Sequence, residues 1–102
     1  DYRIKTDISE FNALNIITKL KPKQYKVIDA TNKSIGFIAH ELQEFFPQAV
    51  SGEKDGKRMQ QVDYSQLTGL LTKGVQVVDT KIVNLEKEII SLKAELDTLK
   101  NK

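Results

Sequence analysis

The sequence predicts an α+β protein in which a small head, residues 1–63, is followed by a long C-terminal helix, residues 64–102, that forms a parallel coiled coil. Both prolines, the histidine and six of the seven aromatic residues lie in residues 1–62, a composition typical of a globular fold. From residue 65 onward the chain has no proline, no aromatic residue and a regular apolar repeat. This change divides the chain into a globular part and a fibrous part.

A short helix is expected near the start of the head, because apolar residues recur there every three positions and form one stripe. The stripe consists of Ile8, Phe11, Leu14 and Ile17. Asp7 followed by Glu10 resembles a capping box at the start of this helix. Pro22 sets its latest possible end, since proline lacks an amide hydrogen.

The rest of the head is predicted to hold a hairpin, a second helix and an arm. Residues 24–29 alternate polar with apolar side chains, and residues 35–38 return against them after a turn. A second helix over residues 39–46 is stopped by Pro47. Residues 51–58 combine two glycines with five charged residues, which indicates a projecting hairpin arm.

The C-terminal helix carries an unbroken heptad repeat. Asp63 and Gln66 occupy the N-cap and the third helical position at its start. Apolar side chains then fill positions a and d over four heptads, which is typical of a coiled coil. These oligomerisation residues form the heptad seam: Val75, Ile82, Ile89 and Leu96 at a, with Leu71, Val78, Leu85, Leu92 and Leu99 at d.

The charges beside the heptad seam favour parallel strands. In a parallel coiled coil each g residue faces the e residue five positions later on the neighbouring chain. The three resulting pairs all have opposite signs: Lys81 with Glu86, Glu88 with Lys93, and Glu95 with Lys100. The repeat alone does not distinguish a two-stranded from a three-stranded coiled coil. Isoleucine at a with leucine at d favours dimers, whereas the valines and Leu96 weaken that preference.

Two glycines interrupt the first turns of this helix. Gly69 and Gly74 each cost about 1 kcal/mol relative to alanine inside a helix. Two explanations are open: a frayed or kinked start of the helix, or a close approach of helices where the bundle begins.

Composition excludes several kinds of site. Without cysteine there is no disulfide, thiolate metal site or thiol nucleophile, and one histidine excludes a multi-histidine metal site. A net charge of +2 is too small to indicate a nucleic-acid partner. No apolar stretch approaches the roughly 20 residues of a membrane span. We therefore predict no metal, no cofactor, no nucleic acid and no membrane as partners.

Four separated motifs follow one another along the chain: D-Y-R-I-K-T-D-I, K-P-K-Q-Y, I-G-F-I-A-H-E-L-Q-E-F-F-P and V-D-Y-S-Q-L. With the heptad helix after them, they resemble the C-terminal intramolecular chaperone domain of phage tail spikes and tail fibres, also called the S74 peptidase domain. The resemblance implies a homotrimer that helps the preceding β-rich fibre or spike to fold and then releases itself by serine autoproteolysis. It also implies action in the host cytoplasm during virion assembly, with the cleaved domain absent from the mature virion.

The resemblance also assigns residues to the cut site. Asp1 matches the aspartate after the cleaved bond, Arg3 the motif arginine, and Lys5 the lysine that acts as general base for a serine directly before Asp1. This chain carries no such serine, so we expect it to be the inactive, released product rather than a fragment prepared to that boundary.

The chemistry of such a site sets two conditions. A lysine activates a serine only if burial or a neighbouring cation, here Arg3, lowers its pKa towards neutrality. Positions five residues apart point to opposite faces of a strand, so the pair also needs a bend or a lysine from the neighbouring chain. We hypothesise that assembly completes the site.

His40 and Glu41 lie together in the A-H-E segment of the second helix. The residues alone favour a structural role for His40, whereas the resemblance implies a helper role in cleavage. Glu41 is expected to be a surface charge of the helix.

Two other functions are open from the sequence. One is an oligomerisation module without proteolysis. The other is a self-cleaving domain that releases a membrane-tethered transcription regulator. The residues preceding Asp1 distinguish them, because a serine indicates self-cleavage, a β-rich repeat a fibre, and a DNA-binding fold a regulator.

Overall fold

A computed structural model describes all 102 residues and has the predicted arrangement of a small α+β head followed by a long helix. The helices are α1 (Ala13–Ile17), α2 (Ala39–Phe45) and α3 (Tyr64–Lys100), and the strands are β1 (Lys23–Tyr25), β2 (Ser34–Gly36), β3 (Val50–Ser51) and β4 (Gln61–Val62). Short 3-10 turns cover Tyr2–Ile4 and Pro47–Ala49. The radius of gyration is 21.0 Å, against about 13 Å for a compact chain of this length, because α3 extends beyond the head.

The 37 residues of α3 span about 55 Å at the usual helical rise. Asp63 is the N-cap of α3, as predicted, and its side chain accepts a hydrogen bond from the Ser65 amide at 3.0 Å. The hydrogen bonds from Ser65 lower the pKa of the Asp63 carboxyl. None of the three helices combines the length and the apolar character that a membrane span requires.

The first helix begins later than predicted. Its N-cap is Asn12, whose side-chain oxygen accepts a hydrogen bond from the Asn15 amide at 3.2 Å. Asp7 has a left-handed φ of 55°, which a helical start does not allow. Ile8 and Phe11 therefore lie outside the helix, with 78% and 48% of their surface exposed.

The predicted hairpin of β1 and β2 is present, but both strands are short. They pair antiparallel, with Lys23 opposite Gly36. The first strand stops at Tyr25 rather than residue 29, because a turn follows in which the Ala30 amide donates to the Val27 carbonyl and Asp29 has a φ of 67°. The second stops at Gly36, since Ile38 is already the N-cap of α2.

A second antiparallel hairpin, β3 with β4, carries the arm. Residues 52–59 between its strands are all exposed. Side-chain amides fix the base of this arm to α2: Gln43 donates to the Gly52 carbonyl at 3.1 Å, and Gln60 donates to the Gln43 side-chain oxygen at 2.9 Å. Helix α2 ends at Phe45, one residue before the predicted end, and Pro47 opens the following 3-10 turn.

The hydrophobic core includes residues on both sides of position 63. Its six buried side chains are Ala13, Leu42, Phe46, Ala49, Leu67 and Leu70. Leu67 and Leu70 belong to the first turns of α3, and Ile17 of α1 packs beside them. The head therefore closes its core only with the start of α3.

The two glycines of α3 have different surroundings. A Cβ at Gly74 would overlap the Cδ1 atom of Ile17, whereas a Cβ at Gly69 would meet nothing within 4 Å. Gly74 therefore permits the close approach of α1 to α3 inside one chain. Nothing in the structure explains the glycine at position 69.

We expect alanine to stabilise the chain more at position 69 than at position 74. Gly69→Ala should raise stability by about 1 kcal/mol through helix propensity alone, which corresponds to roughly 4–8 °C in Tm. Gly74→Ala should gain less, because the terminal Cδ1 atom of Ile17 must move away from the new Cβ, which offsets part of the same gain in helix propensity. Thermal unfolding followed by circular dichroism measures both, and an equal rise in the two variants would contradict the close packing at Gly74.

Candidate functional site

The N-terminal segment, residues 1–11, carries the predicted cut-site residues and is exposed throughout. Asp1 is the N-cap of the 3-10 turn Tyr2–Ile4. Arg3 donates to Asp1 from its amide at 2.9 Å, and from Nε and Nη2 at 2.8 and 3.0 Å. The guanidinium thus holds the Asp1 carboxylate through two parallel bonds, the geometry that arginine favours for carboxylates.

Lys5 follows this turn in an extended conformation, and its amide donates to the Tyr2 carbonyl at 3.1 Å. The 3-10 turn bends the chain between Asp1 and Lys5, so the two do not lie along one straight strand. Arg3 is paired with Asp1 and is therefore not the unpaired cation expected beside Lys5. The Lys5 side chain makes no hydrogen bond or ion pair and is exposed within a single chain.

The A-H-E residues lie at the first turn of α2. His40 is exposed, with no hydrogen bond or ion pair, and no such bond joins it to Lys5. Glu41 differs from the expected surface charge, because it is half-buried and its Oε1 atom lies 3.9 Å from Lys23 Nζ. That buried oxygen has no hydrogen-bond partner, so Glu41 faces β1 rather than open solvent.

A cluster that the sequence did not predict surrounds Gly36. A Cβ at this position would lie 2.6 Å from the Tyr64 hydroxyl oxygen and 2.9 Å from that of Tyr25. The three residues come from three different motifs of the chain, and Gly36 is buried. Each of these residues belongs to a motif, but the sequence does not predict that they contact one another. Their contact depends on how the first hairpin packs against α3.

The heptad seam remains uncovered along its whole length. Its exposed fractions range from 42% at Val78 to 70% at Val75. The head packs on another flank of α3, where Leu67, Leu70 and Gly74 are buried. Every residue after Val77 is exposed, so no part of the same chain covers the seam.

No group of three or more histidine, aspartate or glutamate residues comes together in a way that could hold a metal ion. The polar residues of the site instead form pairs, Asp1 with Arg3 and Lys23 with Glu41. Lys5 and His40 are left exposed and without polar partners, and α3 presents a long apolar face.

Comparison with known proteins adds one positive finding. The family model of peptidase S74, described as chaperone of endosialidase, matches residues 1–51, half of the 102 residues. The matched region contains the N-terminal segment, the first hairpin and α2, but not α3. No curated protein matches the chain.

Proposed function

The chain belongs to the peptidase S74 family, the chaperones of endosialidase, and we propose on this basis that it is the intramolecular chaperone of a viral tail fibre or spike. It assembles as a homotrimer through α3 and assists the folding of the β-rich client that precedes it. A serine directly before Asp1 then cleaves the chain, with Lys5 as its general base.

The observation that carries this proposal is the exposed heptad seam. Contiguous apolar surface of this extent on a protein marks an interaction site, and an unbroken a and d repeat fits other copies of the same helix. The opposite charges at positions g and e favour a parallel arrangement. The family resemblance favours three chains over two.

Parallel assembly at the C-terminal end explains how such a domain helps folding. Three client chains joined there have a raised local concentration and a common register, so the intertwined β-structure forms without closing long loops unaided. After cleavage the domain no longer stabilises the fibre, and the fibre stays folded because it unfolds slowly. The setting is the host cytoplasm during virion assembly, and the mature virion lacks the domain.

The cleavage step requires a change in the surroundings of Lys5. A lysine acts as a base at neutral pH only when it is desolvated or placed near another cation. Lys5 is exposed in the single chain and Arg3 is already paired, so we place the covering of Lys5 in the assembled precursor. His40, exposed at the start of α2, is a candidate helper there.

The arm, residues 51–58, is proposed to touch the client. It is exposed and charged. Hydrogen bonds from the side-chain amides of Gln43 and Gln60 hold its base in a fixed direction. A charged projection of this kind can contact a folding chain without adhering irreversibly.

The test is to express the client with and without this domain after it, joined through the natural serine. We expect protease-resistant client only with the domain, and two fragments of which the second begins at Asp1, identified by intact mass. Resistant client with an uncut domain would instead indicate an oligomerisation module. Equal yield of resistant client without the domain would contradict the chaperone function.

A further inference from the structure

The N-terminal segment is fastened to the rest of the molecule by one polar contact. Its backbone hydrogen bonds are both internal, from Ile4 to Asp1 and from Lys5 to Tyr2. Its one side-chain bond to another part of the fold joins Glu10 Oε2 to Lys73 Nζ at 2.7 Å, across 63 positions of sequence. The cut-site residues therefore lie on a segment whose C-terminal end, at Glu10, is held to α3.

The two partners of this contact are held very differently. The Lys73 side chain is 31% exposed, whereas that of Glu10 is 88% exposed. Lys73 lies next to Gly74, where Ile17 of α1 packs closely against α3. The hydrogen bond and the charge of Lys73 lower the pKa of Glu10, because both favour the ionised carboxylate. Lys73 is thus a fixed anchor and Glu10 the group that docks on it.

A groove beside Glu10 is consistent with the same placement. Phe11 and Ser9 line a groove together with Ile16 of α1, Phe46 and Leu70 of α3. Phe11 is 48% exposed, against 83% for Ile4 nearer the cut site. The segment is consequently held at Glu10, beside this groove, and its residues 1–8 make no hydrogen bond to the rest of the fold.

The geometry points to a positioning role: we propose that the Glu10–Lys73 ion pair holds the N-terminal segment at the start of α3, so that Lys5 is presented within a limited reach. This inference rests on the proposed self-cleavage. Glu10 lies five positions after Lys5, and this stretch spans at most about 18 Å. A shorter free tether raises the effective concentration of Lys5 at its partner site.

Lys73 also connects this tether to assembly. It occupies heptad position f, on the side of α3 opposite the heptad seam, between Leu71 and Val75. The contact therefore leaves the seam free for other chains.

The test uses the precursor with its serine, in which Glu10→Gln and Lys73→Gln each remove the ion pair. We expect self-cleavage to slow by up to about fivefold, the limit that an exposed ion pair supports, with the helical content measured by circular dichroism unchanged. The charge-exchanged pair Glu10→Lys with Lys73→Glu should restore the rate. Added salt should slow the wild-type precursor more than Glu10→Gln.

The matched control is Lys87→Gln, which changes an unpaired lysine at the same heptad position two heptads later. It should cleave at the wild-type rate. Wild-type rates in both Gln variants, or a charge-exchanged pair as slow as the single variants, would overturn the positioning role.

A measurement on the chain itself separates this inference from the proposed function. Nuclear magnetic relaxation of the amides of residues 4–9 should report greater nanosecond motion in Glu10→Gln than in the wild type. Unchanged motion would overturn the tether even if the precursor cleaves. Increased motion in a chain whose wild-type precursor never cleaves would support the tether and contradict self-cleavage.

Discussion

A Lys5→Ala precursor with a serine directly before Asp1 is expected to remain one intact chain where the wild-type precursor yields two fragments. Serine is a weak nucleophile until a base removes its proton, and loss of a general base slows such reactions by about 10²–10⁴-fold. Intact mass spectrometry after expression measures the outcome directly. Fragments formed at the wild-type rate would remove Lys5 from the mechanism.

Two further variants show which property of Lys5 matters. Lys5→Arg keeps the positive charge but cannot give up its proton near neutral pH, so it should stay uncut like Lys5→Ala. Lys26→Ala removes an exposed lysine outside the N-terminal segment and should leave cleavage unchanged. Normal cleavage in Lys5→Arg would indicate that the site needs a charge at this position rather than a base.

The sequence predicted the long helix well because its signals are local and repeated. Asp63 provides an N-cap, and the apolar positions recur without interruption. The first helix was predicted to begin too early because Asp7 with Glu10 was interpreted as a capping box. In the structure Asn12 is the N-cap and Asp7 adopts a left-handed conformation. The first strand was predicted to continue past Tyr25, because the alternation of polar and apolar residues alone does not reveal the turn at Asp29.

Contacts between distant residues were beyond sequence reasoning. The core joins Ala13 and Leu42 to Leu67 across the predicted boundary between head and helix. The sequence left two explanations for Gly74, a frayed helix start or a close approach of helices, and the contact with Ile17 of the same chain supports a close approach. At the candidate site, the pairing of Arg3 with Asp1 depends on the 3-10 turn Tyr2–Ile4, which the sequence motif does not predict. The motifs thus indicate candidate residues, whereas the pairs that these residues form depend on the three-dimensional fold.

The second large effect is expected at the heptad seam. Glutamate at both Ile82 and Ile89 should convert the proposed trimer into monomers. Each change removes about 1.5–3 kcal/mol of apolar burial per chain and places unpaired carboxylates in the interior of the bundle. Glutamate is a good helix former, so α3 itself should persist. Sedimentation velocity measures the assembly, and circular dichroism the helix.

The matched control changes the outward neighbours of the same two residues. Val83→Glu with Ile90→Glu introduces the same two charges at position b, where the side chains are 41% and 68% exposed, and should leave the trimer intact. Loss of assembly in both double variants would indicate general unfolding rather than a specific seam. A wild-type chain that is monomeric at high concentration would contradict the trimer itself.

The same pair of variants tests whether assembly completes the cleavage site. In the precursor, the monomeric Ile82→Glu and Ile89→Glu variant should cleave far more slowly than the control, because Lys5 is exposed in a single chain and needs other chains to cover it. Cleavage of that monomer at the normal rate would show that one chain holds the whole site. The bend at Tyr2–Ile4 would then suffice to bring Lys5 to the serine, and cleavage would carry no information about assembly.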